Sequence, residues 1–221
     1  SLYRMADQPD KVYIHFHDKV TAGNGRRVDF PEGKGKVCCL ISALLFDMLE
    51  SRGVRTHYLD TQGLDTLLCK KLEIVPVEVI VRNITAGSIV RQTTLEEGTV
   101  LNPPLVEYFL KDDAKDDPLL TPDRVALMGI DPEPMKEAAL KINNHFQILF
   151  AQLGINIVDF KLEFGYDSNG NLCLGDELSP DNMRLWKKGT KERFDKDLFR
   201  KDEGDIVGAY TYILEEMRKF V

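Results

Sequence analysis

The stretch "IVDFKLEFGYDSNGNLCLGDELSPD", residues 157–181, decides how this chain folds. Ile157–Gly165 reads as a strand, and Asn171–Leu178 reads as its partner. The five residues between them, "YDSNG", carry the Asp, Ser, Asn and Gly that turns favour. In the first strand Asp159, Lys161 and Glu163 fall on one face, with Phe160, Leu162 and Phe164 on the other. The aromatic face suits a core. The charged face meets either bulk solvent or a polar cavity, and alternation alone leaves both open.

The second strand favours the cavity. Gly175 permits close approach of a backbone or ligand, and Asp176 follows it. A hairpin can bring Glu163 and Asp176 together, where two carboxylates repel unless a cation lies between them. Oxygen ligands of this kind suit Mg2+, which takes one or two carboxylates plus substrate phosphates. That points to phosphoryl transfer from a nucleotide.

The most regular strand lies upstream, in "VPVEVIVRN", residues 75–83. Val75, Val77, Val79 and Val81 share one face, while Pro76, Glu78, Ile80 and Arg82 share the other. Pro76 suggests an edge or a strand start. Arg82 emerges opposite the valines, and the turn "NITAGS" follows it. A guanidinium, turn N–H groups and the Ser88 hydroxyl can together hold a phosphate. Arg184, after the turn at Pro180–Asp181, can reach back to the carboxylates or pack on Trp186 as a surface arginine. "EGKGK", residues 32–36, has the look of a phosphate loop but lacks GxxxxGK[ST], so it reads as a solvated turn before a helix.

Helical periodicity runs over Val37–Glu50, with Gly53 as its stop. A longer helix is expected from Pro132 to Leu153, with Met135, Ala138, Ala139, Ile142, Phe146, Leu149, Phe150 and Leu153 in one stripe and Asp131 as cap. A last helix is expected over about 205–220. Val12–Phe16 and Val54–Leu59 suit strands. The proline-punctuated segment "NPPLVEYFLKDDAKDDPLLTPDR", residues 102–124, reads as loop with a short helix. Strands and helices mix without a steady βαβ rhythm, which gives an α+β class.

The totals bound the function. The 221 residues, 43 % hydrophobic, suffice for one large domain or two lobes around a real core. A net charge of −7 argues against a nucleic-acid partner, yet permits a local basic pocket for a small anion. The four cysteines lack CxxC spacing and read as free thiols in a reducing cytosol. The histidines show no zinc or triad spacing. No apolar run approaches the ~20 residues of a membrane span, and the first residues do not read as a secretory signal. A cytoplasmic protein without membrane or nucleic-acid partners is expected.

Two of these stretches carry a family resemblance. "VPVEVIVRNITAGS" (75–88) and "IVDFKLEFG" (157–165) resemble the two signature segments of the SAICAR synthetase (phosphoribosylaminoimidazole-succinocarboxamide synthase) family. "LYR" (2–4), "DKVTAGNG" (18–25), "LNPPLVEYFLKDDAKDDPLL" (101–120) and "GDELSPDNMRLW" (175–186) are similar to that family in the same order. The resemblance spans nearly the whole chain.

The resemblance implies an ATP-dependent ligase that joins L-aspartate to the carboxylate of carboxyaminoimidazole ribonucleotide (CAIR), giving SAICAR in purine biosynthesis by way of an acyl phosphate. It implies a two-lobed α+β fold with ATP in the cleft: a mostly antiparallel β lobe over 1–86, and an α+β lobe for substrate and metal over 87–221. Arg82, Ser88 and Arg184 would hold the ribonucleotide phosphate region. Asp159 and Lys161 would meet the imidazole carboxylate. Glu163 and Asp176 would bind Mg2+ with the ATP phosphates, and Lys71, Leu72 and Ile74 would lie by the adenine. Asp18 and Gly23 would line the substrate cleft. A homodimer is consistent with the family. Another ATP-dependent ligase or kinase, or a non-catalytic nucleotide-binding relative, would share most of these features. The chain departs from the family at one point. The Gly-Lys-x-Lys loop expected directly after "LYR" is missing, since Arg4 runs straight into "MADQPDKVY". A genuine deletion there would put ATP affinity and turnover in doubt, and "EGKGK", falling after "TAGNG", does not replace the loop.

Overall fold

The structure is a computed structural model that describes residues 1–4, 8–22, 25–190 and 192–221. The junction after Arg4 falls at 5–7, outside the described residues. In chain order the elements are β1 (Leu2–Arg4), β2 (Lys11–His15), β3 (Val20–Ala22), β4 (Arg27–Asp29), α1 (Lys34–Ser51), β5 (Tyr58–Gln62), β6 (Thr66–Lys70) and β7 (Glu73–Ile84). Then follow α2 (Ser88–Gln92), β8 (Val100–Leu110), β9 (Leu119–Leu120), α3 (Pro122–Leu127), α4 (Glu133–Gln152), β10 (Ile155–Tyr166), β11 (Leu172–Gly175), β12 (Met183–Lys187), α5 (Asp197–Lys201) and α6 (Ile206–Met217).

The valine row builds the centre. Val75, Val77, Val79 and Val81 on β7 are buried, and so are Phe160, Leu162 and Phe164 on β10. These two strands pair antiparallel in the middle of a sheet ordered β11-β10-β7-β8-β9, with β12 also on β10. Helix α4 covers the apolar face of β10 and β7 through Met135, Ala139, Ile142, Phe146 and Leu149. The Asp131 carboxylate accepts from the Glu133 N–H at 3.1 Å, capping it as expected. A smaller antiparallel sheet, β1-β2-β6-β5, and a two-stranded β3–β4 ribbon complete the strands, while α1 packs on α6. All four cysteines are buried free thiols, and no helix of the described residues is long and apolar enough to cross a membrane.

Several local expectations change. Residues 100–110 form strand β8, not loop, paired with β7 in the register Val81↔Val106. Pro103 and Pro104 masked it. They lie where β8 has no hydrogen-bonded neighbour on its outer side, since β9 pairs only with Tyr108 and Phe109. The short helix in that segment is α3. Pro76 sits not at an edge but inside central β7, where the pairing with β10 shifts between Glu163 and Gly165 and absorbs the missing N–H. Strand β5 begins at Tyr58, later than the expected Val54. Helix α1 starts at Lys34, inside "EGKGK", and Lys34 is buried, so that stretch is not a solvated turn.

Candidate active site

On one edge β10 pairs with β7. On the other, β11 flanks Glu163–Tyr166 and β12 flanks Ile155–Phe160. The chain leaves the sheet after Gly175 and returns at Met183, and the Asn182 carbonyl accepts from the Lys161 N–H at 2.9 Å. This excursion hangs Asp176, Glu177 and Asp181 over the charged face of β10. Asp176 takes a left-handed conformation, φ 57°, in doing so. Two adjoining cavities open there. One, of about 610 Å3, is lined by Glu78, Arg82, Ser88, Asp159, Lys161 and Arg184 among others. The other, of about 410 Å3, is lined by Lys19, Lys34, Asp176 and Glu177 among others. Thr21, Asp181 and Lys196 border both.

One row of charge crosses three strands. Asp159 is the register partner of Arg82 on β7 and of Arg184 on β12. Its carboxylate accepts from Arg82 Nη1 at 2.9 Å and from Arg184 Nη1 at 2.8 and 3.0 Å. Arg82 also donates to Glu107 at 2.5 Å, the Ala86 carbonyl at 3.2 Å and Ser88 Oγ at 2.8 Å. It therefore closes the turn after β7 instead of emerging, at 1 % exposure. Gly87 lets this row pack: a Cβ there would lie 2.5 Å from Arg184 Nη2. Burial pushes the Asp159 carboxyl up, against the pull of Arg184 and Arg82. The guanidinium that lies over the Trp186 ring belongs to Arg193, not Arg184.

A second row holds Lys161. Its ammonium lies 2.7 Å from Glu78, 2.9 Å from Glu163 and 3.9 Å from Asp176. Burial opposes its charge, yet Glu163, Asp176 and Glu78 raise its pKa. Burial likewise opposes the Glu163 charge, but Lys161 and Lys111, which pairs with Glu163, bring its pKa down. Asp176 moves up, by burial and then by Glu163. Glu163 and Asp176 thus come together around one cation, the Lys161 ammonium. Among the described residues there is no group of three or more His, Cys, Asp or Glu side chains arranged to hold a metal. Glu163 and Asp176 offer two carboxylates to an Mg2+ whose remaining positions phosphate oxygens and water would fill, on condition that Lys161 and Lys111 yield the Glu163 oxygens. The Asp176 side chain is 37 % exposed and open to such a ligand.

Leu72 and Ile74 lie against the same place. A Cβ on Gly175 would meet Leu72 Cδ1 at 3.2 Å and Ile74 Cδ1 at 3.7 Å, so the expected adenine residues border the expected metal residues. Lys71 is exposed, and its N–H donates to the Asp10 carbonyl at 2.7 Å. Asp18 does not present a free carboxylate: it accepts from the Gly33 and Gly35 N–H groups at 3.1 and 2.8 Å, tying down the start of α1. Gly23 lies outside the described residues. Glu78, Lys34 and Lys111 escaped the sequence reading. Glu78 shares the polar face of 75–83 with Arg82, so the alternation contained its signal. Lys34, ion-paired with Asp181, was hidden by its glycines. Gly35 leaves no room for a Cβ, which would lie 2.6 Å from the Phe16 carbonyl oxygen. Lys111 follows the strand mistaken for a loop.

An antiparallel sheet with charged rows facing a cleft is an architecture this protein shares with ligases that form carbon–nitrogen bonds. The family described as SAICAR synthetase matches residues 1–217, and the chain belongs to it. It is 46 % identical to the phosphoribosylaminoimidazole-succinocarboxamide synthase of Methanocaldococcus jannaschii, over 98 % of this chain and 90 % of that protein. The Synechocystis synthase is 48 % identical, over 96 % of this chain and 83 % of that one. A SAICAR synthetase solved in complex with ADP superposes with TM-score 0.95 at 38 % identity, covering 99 % of this chain and 94 % of the other. The Pyrococcus horikoshii SAICAR synthetase gives 0.94 at 37 % identity, covering 99 % and 97 %.

Proposed function

We propose that the protein uses ATP to join L-aspartate to the carboxylate of CAIR, forming SAICAR in purine biosynthesis. The carrying observation is the juxtaposition of the Lys161–Glu163–Asp176 cluster with the Arg82–Asp159–Arg184 row on one sheet face. A carboxylate is a poor electrophile toward an amine. Attack of a CAIR carboxylate oxygen on the γ-phosphorus of ATP breaks the bond to ADP and leaves an acyl phosphate. The aspartate amine, having lost its proton, then attacks the acyl carbon, and inorganic phosphate departs with the C–O bonding pair.

Each group has a place in this scheme. Arg82, Ser88 and Arg184 take the ribonucleotide phosphate region, with Lys196 and Arg200 adding positive charge along the same cavity. Asp159, fixed between two guanidiniums, and Lys161 orient the imidazole carboxylate. Lys161 adds a fixed positive charge where the phosphoryl group moves, in a setting that needs no reorganisation. Glu163 and Asp176 would hold Mg2+, which neutralises phosphate charge when bound. Leu72, Ile74 and Lys71 border the adenine. Holding three substrates together supplies much of the acceleration. Two findings support this reading: the ADP complex of a structural neighbour and the names of the relatives.

The test is direct. Protein mixed with CAIR, L-aspartate and Mg-ATP is expected to release ADP and SAICAR in equal amounts, and neither when aspartate is withheld. No ADP above background from full-length protein overturns the proposal.

A further inference from the structure

Behind the catalytic face lies a separate cavity of about 630 Å3, within the roughly 300–1,000 Å3 range of small-molecule sites. The end of α1, the loop 53–55, the end of β6, α4 and β11 enclose it. Three cations line it: Arg55, Lys70 and Lys141. The one carboxylate in its wall, Glu50, accepts a hydrogen bond from the Thr56 hydroxyl at 2.6 Å. So a chain of net charge −7 gathers positive charge in this hollow as well as in the catalytic cleft.

Among the described residues, no carboxylate forms an ion pair with Arg55, Lys70 or Lys141. Lys141 Nζ donates to the Gly53 carbonyl at 2.8 Å, and Lys70 Nζ donates to the Thr56 carbonyl at 3.1 Å. Both ammonium groups are therefore pinned by the main chain of one short loop and keep N–H groups to offer. Among the described residues, no hydrogen bond or ion pair engages the guanidinium of Arg55, which lies between Gly53 and Thr56 in that loop. Val54, Ala138, Phe164, Leu172 and Leu174 give the cavity an apolar floor.

We propose that this cavity is a second, non-catalytic binding site for a small organic phosphate, its phosphate held by Arg55, Lys70 and Lys141 and its carbon skeleton seated on Phe164, Leu172 and Leu174. A guanidinium fork beside two ammonium groups matches a phosphate dianion, and the apolar floor selects an organic ester over free phosphate. The site is independent of the ligase reading. It also has a physical route to the cleft. Strand alternation puts Phe164 in the floor and Glu163 on the catalytic face, and Leu174 lies two residues before Asp176.

Calorimetry with phenyl phosphate as the probe, at low salt and with ADP in excess, tests it. Binding at submillimolar Kd is expected, several-fold tighter than inorganic phosphate. The double variant R55A/K141A should weaken it at least tenfold while leaving SAICAR formation unchanged without the probe. R55A alone breaks no hydrogen bond and should weaken it by several-fold with an unchanged Tm. Absence of binding at millimolar probe, equal affinity for inorganic phosphate, or binding untouched by R55A and R55A/K141A would each overturn the assignment.

Discussion

Arg82 and Asp159, 77 positions apart in the chain, face each other in register across β7 and β10 and join side chains at 2.9 Å. Both are buried, so neither tolerates the loss of the other. Arg82→Ala leaves Asp159 to Arg184 alone, strips Glu107 of its guanidinium and frees Ser88. Removing one partner of a buried pair costs about 3–5 kcal/mol, so a drop in Tm of roughly 10 °C is expected. Calorimetric scans check this. Should Arg82→Ala unfold within a degree or two of the parent, the row would be a surface contact and not part of the core.

Glu163 and Asp176 make a sharper prediction about the metal. Glu163→Gln keeps the shape of the side chain and removes its charge, leaving Asp176 and Glu78 with Lys161. The Mg2+ concentration for half-maximal ADP release is expected to rise at least tenfold, and kcat to fall about 100-fold, as for other losses of transition-state charge stabilisation. An unchanged Mg2+ titration would remove Glu163 from the metal role. Asp159→Asn should leave that titration in place while raising KM for the ribonucleotide.

The hairpin's charged face was legible because strand periodicity is local: Asp159, Lys161 and Glu163 had to share a side. What they faced was set by long-range register, which puts Glu78 opposite Glu163 and in reach of Lys161, and Arg184 opposite Asp159, and a single strand does not encode that. Strand β8 stayed hidden because its prolines read as breakers unless the unpaired outer side is known. Lys34 looked solvated since two glycines flank it, while its burial depends on Asp181 almost a chain away. The back cavity had no sequence signal: its cations come from three separate segments, the loop 53–55, β6 and α4.

Gly87 supplies a test of the turn. Its φ of 69° lies where side chains are disfavoured, and an added Cβ would meet the Arg184 guanidinium at 2.5 Å. Gly87→Ala must therefore displace Arg184 or the turn. KM for the ribonucleotide is expected to rise about tenfold, the ~1.4 kcal/mol that one misplaced charged hydrogen bond can cost, with KM for ATP changed less than twofold. Equal effects on both would mean that the turn serves the nucleotide as much as the ribonucleotide.

His57 predicts how stability depends on pH. The imidazole is buried, with the Phe46 ring 5.2 Å away and Cys69 Sγ 3.6 Å from Nε2. Burial lowers its pKa to about 4, with Lys70 adding to the fall and a hydrogen bond to the Asp176 main chain opposing it. Unfolding restores the ordinary value near 6.5. Between those values the unfolded chain binds the proton and the folded one does not, so stability drops as pH falls through that window. The slope is about 1.4 kcal/mol per pH unit and the full loss about 3 kcal/mol. In His57→Gln, neutral throughout, that component disappears. The variant is expected to be less stable than the parent at pH 7.5, because packing around Phe46 is lost, and to close most of that gap by pH 4.5. Urea unfolding across that range reads both curves, and parallel curves would assign the acid sensitivity to another group.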